Sequence, residues 1–516
     1  MAARELGLVV ACRLTSCRLA LVLLLCSAAN LLVSSFSLKT AGSGSTLQKK
    51  PPGKFDFPVV TNVAETFAYL SDPDGFISSR SKQFGPIFST YLFFRKTVVV
   101  GSQQLVKEFV ATEREAGITK SSLPPVFTKL HTQYGALNLE GELHRDARNG
   151  LDAILGADAI RNEYMPIIDV RTTEMVAQLS NMVDQGQSIF IAPALKKFYL
   201  NLFSELFTGE PLSDHERSLF ELYNAGLLAL SEGTEDFKKA NAALEELVEI
   251  MRGRFLRASE GGIEPANFCM RTMHGMGWTT EAISTRLVLL VWGAYIEAAS
   301  LGAFALLFLK DRPDVADKVI DEAVAAQLFS ADSSQAGQSP WQQMLYTQGV
   351  LRESLRLHPP AGGGFRYSDA DFELGGYRIE AGTVLTADPR IGNTDPALFA
   401  DPDRFAPERW VDTRGKVVAE GGGGGCPVAG AARRLGLGAF FPGGVGAHQC
   451  PGVLLAEAAG TALLVRWLAA FEAWAPAEGA PLSEGTAAAA EGWPREVALP
   501  IRVPVDGYAL RLEGRR

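Results

Sequence analysis

Phe440-Phe441-Pro442-Gly443-Gly444-Val445-Gly446-Ala447-His448-Gln449-Cys450-Pro451-Gly452 is the stretch that decides the fold. A glycine-rich loop runs up to one cysteine. An apolar helical pattern follows at once, from Val453 to about Trp474. Glycines let main chain approach a flat ligand closely. Loop N–H groups and the start of a helix both favour a thiolate at the cysteine. A loop of this build suits a thiolate ligand to haem iron. Taken alone, it is also compatible with a buried structural cysteine ahead of a helix.

Bulk properties narrow the choice. The chain has 516 residues, 47% of them hydrophobic, enough for a large core. A net charge of −9, with no basic stripe, argues against a nucleic-acid partner. Of six cysteines, Cys12, Cys17 and Cys26 fall in the first segment. Cys269, Cys426 and Cys450 remain, too few for a disulfide framework. No CxxC pair or HExxH is present, so zinc and iron–sulfur sites have no support.

Residues 1–18 carry Arg4, Arg13 and Arg18 against Glu5, and Leu19 to Phe36 holds no charge. Residues 1–50 therefore read as a targeting or membrane-anchor segment with its linker. Two forms fit: an anchor leaving the membrane through Pro51-Pro52-Gly53, or a two-part plastid import sequence around Ser34-Ser35-Phe36. The expected location is membrane-associated, at the endoplasmic reticulum or a plastid.

Beyond residue 50, Phe84 to Gly101 reads as a β-hairpin broken at Phe94-Arg95-Lys96. Ser102 to about Asp317 is mostly helical, with Gly141 opening one helix. Ile283 to Leu309 holds only Arg286 and Glu297 as charges and reads as a buried core helix. Ser339-Pro340 predicts a helix start, with its stop at Pro359-Pro360. Short strands follow, with turns at Gly375-Gly376 and Ala381-Gly382. Residues 411–438, with five consecutive glycines, read as a surface insertion. The fold class is mainly α with small β-sheets (α+β).

Glu353 and Arg356 stand at i, i+3 on a helix and share a face. Phe405-Ala406-Pro407-Glu408-Arg409-Trp410 comes next, then the cysteine loop. In this order the motifs resemble those of the cytochrome P450 family. The resemblance covers nearly all of the chain from Pro51 on. It implies the P450 fold, with haem buried between the long core helix and the cysteine-loop helix, and a haem-thiolate catalytic domain over residues 51–516. It implies Cys450 as the metal ligand. Glu353, Arg356 and Arg409 match the ion-pair triad behind the haem. His144, Arg148, Arg366 and His448 match positions that bind the cofactor through its propionates. Gly364-Phe365-Arg366 with Phe372 to Tyr377, and Asp72-Pro73-Asp74-Gly75-Phe76, are most similar to the retinoic acid hydroxylase branch and its cyanobacterial relatives.

Two departures stand out. Gly443 replaces a phenylalanine seven before the cysteine, with Phe440 and Phe441 expected to compensate. On the core helix, Val291 to Ser300 lacks the threonine that helps deliver protons to dioxygen, and Glu297 stands at or beside its place. Gly293-Ala294 is expected to permit a local helix distortion. An acid in an apolar helix has a raised pKa unless paired, which makes Glu297 a candidate catalytic acid. The resemblance implies a monooxygenase: dioxygen, electrons from a reductase or ferredoxin, and a small apolar, isoprenoid-like substrate. The missing threonine leaves two alternatives. One is a hydroperoxide or epoxide isomerase needing no external electrons. The other is a haem-binding protein without turnover.

Overall fold

A 30-residue helix, Thr280–Leu309, runs through the centre of the molecule. Its start is fixed by Thr279, whose hydroxyl accepts from the Ala282 amide at 3.2 Å. It is apolar on most of its circumference, so most of it is buried by neighbouring elements, and one face is left to line a cavity. Its length and hydropathy suffice to cross a membrane, as do those of Gly446–Ala470, but most of each is buried inside the protein. Helices Ile191–Thr208, Glu235–Ala258, Leu345–Leu357 and Val453–Ala470 pack around it. The structure is a computed structural model. It describes residues 49–53, 58–115, 120–229, 231–329, 340–411, 438–483, 492–497 and 501–514. Almost all of the leading segment 1–50, and of the insertion 411–438, lies outside the described residues.

A five-stranded sheet caps one side. Its order is Ile87–Leu92, Arg95–Val100, Val384–Ala387, Phe365–Tyr367, Lys120–Ser121. Only the pairing of Arg95–Val100 with Val384–Ala387 is parallel. The predicted hairpin is present, but its turn is at Phe93-Phe94, both at positive φ (50° and 61°). Such a turn normally takes Asn or Gly, and a bulky residue there costs about 1–3 kcal/mol. Helix Pro58–Ser71 offsets this. Thr66 accepts from the Phe94 amide (3.0 Å), Asn62 donates to its carbonyl (3.1 Å), and the Phe93 ring lies edge-on to Tyr69 and Phe365.

Two sequence expectations are corrected. The helix expected to start at Ser339-Pro340 begins at Leu345, after a 3₁₀ turn at Pro340–Gln343. Its cap comes from outside: Glu322 accepts from the Tyr346 and Thr347 amides (2.6 and 2.9 Å) and the Thr347 hydroxyl. The helix after the cysteine stops at Ala470, and Phe471–Pro476 is a strand paired with Ala509–Gly514. Buried Phe471 and Trp474 are three apart, which mimics a continuing helix in sequence. Thr280–Leu309 is assigned as one helix through Gly293-Ala294.

Candidate functional site

The core helix and the cysteine loop face each other across a cavity of about 1550 Å³. The loop that floors it is tied tightly. Cys450 donates its amide to the Gly443 carbonyl at 2.7 Å. Gly446, at φ +74°, lies so close to the Glu113 carboxylate that a Cβ would collide with it. Glu113, buried on helix Gln103–Glu115, accepts from the Ala447 amide (3.0 Å) and from Arg366 Nε (2.6 Å). Arg366 in turn donates to the Val445 carbonyl at 3.0 Å. One buried ion pair thus clamps the loop on both sides of Gly446. Nothing local in the sequence marks Glu113 for this task.

The Cys450 side chain opens onto the cavity, whereas Cys269 is sealed in the core. The Gly452 amide donates to Cys450 Sγ at 3.3 Å. Burial still raises the thiol pKa; the Gly452 and Val453 amides and Arg148 oppose it, and Glu297 adds to it. The loop amides act in the expected direction, towards the thiolate that a metal cation would favour further.

Behind the loop, Glu353 is fully buried and fully partnered. It accepts from Arg356 (2.7 and 2.9 Å), Arg409 (3.2 Å), Trp410 Nε1 (2.9 Å) and the Ala406 amide (3.0 Å). Arg356 spends its other donors on the Asn393, Pro402 and Arg404 carbonyls. The predicted triad is therefore present as a network with its partners satisfied. A second buried pair went unread in the sequence. Arg352 donates to Glu457 at 2.9 and 3.0 Å, joining this helix to the cysteine helix. A lone carboxylate among the apolar residues of Val453–Ala470 was the available signal.

The structure brings His144, Arg148, Arg366, His448, Cys450 and Glu297 to one cavity, with Glu297 on the core helix facing the others. The His144 and His448 rings lie 4.2 Å apart. Arg148 donates to the Gln449 carbonyl and to Asp152 Oδ1. His144 has its pKa lowered by burial and by the nearby arginines. The expectation about Phe440 and Phe441 is corrected. Phe440 packs on Trp410 (4.5 Å), Phe441 joins the cluster around Val106 and Leu385, and neither lines the cavity. Val453 fills the place of the missing side chain, since a Cβ on Gly443 would lie 2.6 Å from its Cγ2.

The Cytochrome P450 family model matches residues 51–258 and 232–489. The chain belongs to the cytochrome P450 family. As a P450 it is a monooxygenase-type oxidoreductase carrying thiolate-ligated haem, and the P450 fold holds from the sheet to the cysteine helix. It is 29% identical over 372 residues to a putative cytochrome P450 120 of Synechocystis sp., covering 70% of this chain and 80% of that one. It is 32% identical over 259 residues to cyclooctat-9-en-7-ol 5-monooxygenase of Streptomyces melanosporofaciens, about half of each chain (48% and 50%). It is 25% identical over 427 residues to a cholesterol 22-monohydroxylase of Paris polyphylla, covering 79% and 84%. Among solved structures, retinoic acid-bound cyanobacterial CYP120A1 superposes with a TM-score of 0.73 at 22% identity, over 91% of this chain and all of that one.

The residues of this P450 fit a haem. A sulfur opens on a large cavity, glycines line the loop beside it, and imidazole and guanidinium groups gather at one edge. Above them stands Glu297. Its Oε2 is buried with no hydrogen-bond partner among the described residues. Burial pushes its pKa up to about 8, slightly opposed by its own backbone amide. Burial thus favours the neutral, proton-holding form of this side chain at the cavity wall.

Proposed function

We propose that this P450 hydroxylates an apolar, isoprenoid-like substrate, using dioxygen and two electrons from a partner reductase or ferredoxin. The observation that carries the substrate reading is the apolar cavity wall, where Phe67, Phe93, Phe127, Phe203, Leu289 and Leu290 line the part of the cavity away from the cysteine loop. The relatives point the same way, since their names specify a terpenoid alcohol and a sterol. The structural neighbour holds retinoic acid.

In this reading Cys450 would ligate the haem iron. His144, Arg148 and His448 would hold the propionates, with Arg366 presented beside them by Glu113. The haem supplies dioxygen activation and the oxidation of an unactivated C–H bond. The chain's own residues bind, orient and shield. Glu297 holds a proton at its carboxyl and releases it into the cavity, taking the part that a hydroxyl-bearing side chain plays elsewhere in the family. The apolar wall excludes bulk water from that proton path. Residues 51–516 form the catalytic domain. Residues 1–50 attach the protein to a membrane or direct it to a plastid.

The missing threonine favours a second reading, in which Glu297 serves acid–base chemistry on a substrate that already carries a peroxide. One experiment separates the two. Full-length protein is incubated with a reductase, its reductant, heavy-isotope dioxygen and a retinoid. The proposal expects reductant-dependent product carrying one labelled oxygen. Rapid consumption of a lipid hydroperoxide without reductant, and no labelled product, would replace it with the isomerase reading.

A further inference from the structure

Arg286 and Glu297 are the two charged side chains in the apolar run of the core helix, and both line the cavity. Glu297 lies three helical turns beyond Arg286, about 16 Å along the axis at 1.5 Å per residue. That separation puts both on one face. Between them the same face offers only Leu289, Leu290, Gly293 and Ala294 to the cavity. The helix therefore presents an apolar stripe with a cation at one end and the proposed acid, near Cys450, at the other.

The cation is built to stay in place and has no carboxylate in direct contact among the described residues. Arg286 Nε donates to the Tyr134 carbonyl at 3.2 Å. Its guanidinium lies 3.6 Å over the Trp278 ring, whose Nε1 is held by Asp146. Among the described residues it makes no ion pair. Asp146 acts on it only electrostatically, and burial pulls its pKa down. A half-buried charge without a partner is unfavourable unless a ligand supplies one. Two other arginines of the cavity are paired, Arg148 with Asp152 and Arg366 with Glu113. Arg95 also has no ion pair among the described residues; it donates to the Ser122 and Leu123 carbonyls (3.3 and 3.4 Å) and stands on strand Arg95–Val100, not on the helix that carries Glu297.

We propose that Arg286 anchors the anionic end of an elongated substrate, a carboxylate on an apolar body, and so sets oxidation at the opposite end. The proposal rests on the isoprenoid hydroxylase reading and adds the polar group, the residue that holds it and the regiochemistry. A guanidinium–carboxylate contact is bidentate and charge-assisted, which is worth about ten- to a hundredfold in affinity.

The test is a spectral binding titration of purified full-length holoprotein with all-trans-retinoic acid and with its methyl ester. Wild type is expected to bind the acid at least about tenfold more tightly. Arg286→Leu should weaken the acid by about that factor and change the ester less than about twofold. Arg286→Lys should recover part of the loss. A retained thiolate-haem spectrum shows that each variant is folded. Products from the acid should carry the new hydroxyl at the end remote from the carboxylate. An acid-to-ester ratio unchanged by Arg286→Leu would overturn the proposal, as would a ratio abolished by Arg95→Leu instead. If neither retinoid perturbs the haem, the isoprenoid reading fails. Palmitic acid and methyl palmitate then report on Arg286 alone: an Arg286-dependent acid preference supports the anchor, and none refutes it.

Discussion

Replacing Glu297 by glutamine removes one proton and little else. The wild-type carboxyl, with its pKa near 8, is protonated roughly ten to one at pH 7 and ionised roughly ten to one at pH 9. The pKa is raised, so the proton-holding form exists below about 8 and is lost as pH rises through it. An unperturbed carboxyl would be ionised at both values and give no change. If Glu297 delivers the proton, product formed per reductant consumed should fall about tenfold between pH 7 and pH 9. Glu297→Gln keeps the shape but has no acidic proton. Its coupled rate should drop by about 10² to 10⁴ at pH 7, the usual share of a general acid. The pH dependence should vanish with it. The assay follows product and reductant together across this range, with reductase in excess. A glutamine variant that keeps both the rate and the wild-type pH profile would refute the assignment.

Other expectations follow from buried charge. Glu457→Ala leaves Arg352 without its carboxylate in the core, so stability should fall by about 3–5 kcal/mol in urea unfolding. Pairing Arg352→Met with Glu457→Met should recover most of that loss. Glu353→Gln removes the anion shared by Arg356, Arg409 and Trp410 and should give protein largely free of haem, measured as haem absorbance per chain. Gly446→Ala drives a methyl into the Glu113 carboxylate at a positive φ. It should lower haem occupancy more than Gly444→Ala, whose added Cβ meets nothing within 4 Å although its φ is also positive.

Much of this site was legible because the chemistry is local in sequence. Cys450, His448 and their glycines sit in one loop, and Glu353 and Arg356 in one helical turn. The charges at Arg286 and Glu297 stand out in an apolar run. What sequence did not show depends on contacts between distant segments. Glu113 reaches the loop from a helix more than 300 residues earlier. Arg352 and Glu457 meet only when two helices pack. Glu322 caps a helix from another element, which moved the predicted start from Ser339 to Leu345. Trp474 extended a helical pattern because its spacing from Phe471 fits either structure; pairing with Ala509–Gly514 decides for a strand. The place of the missing phenylalanine went to Val453, the next turn of chain, rather than to either candidate upstream.

The central claim is that Cys450 ligates haem iron at the foot of the cavity. The reduced, carbon monoxide-bound absorption spectrum of full-length protein tests it most directly, read beside that of Cys450→Ser. Wild type should show the long-wavelength Soret band of thiolate-ligated haem, and the serine variant should lose it. A wild-type spectrum without that band, or a serine variant that keeps it, would contradict the account.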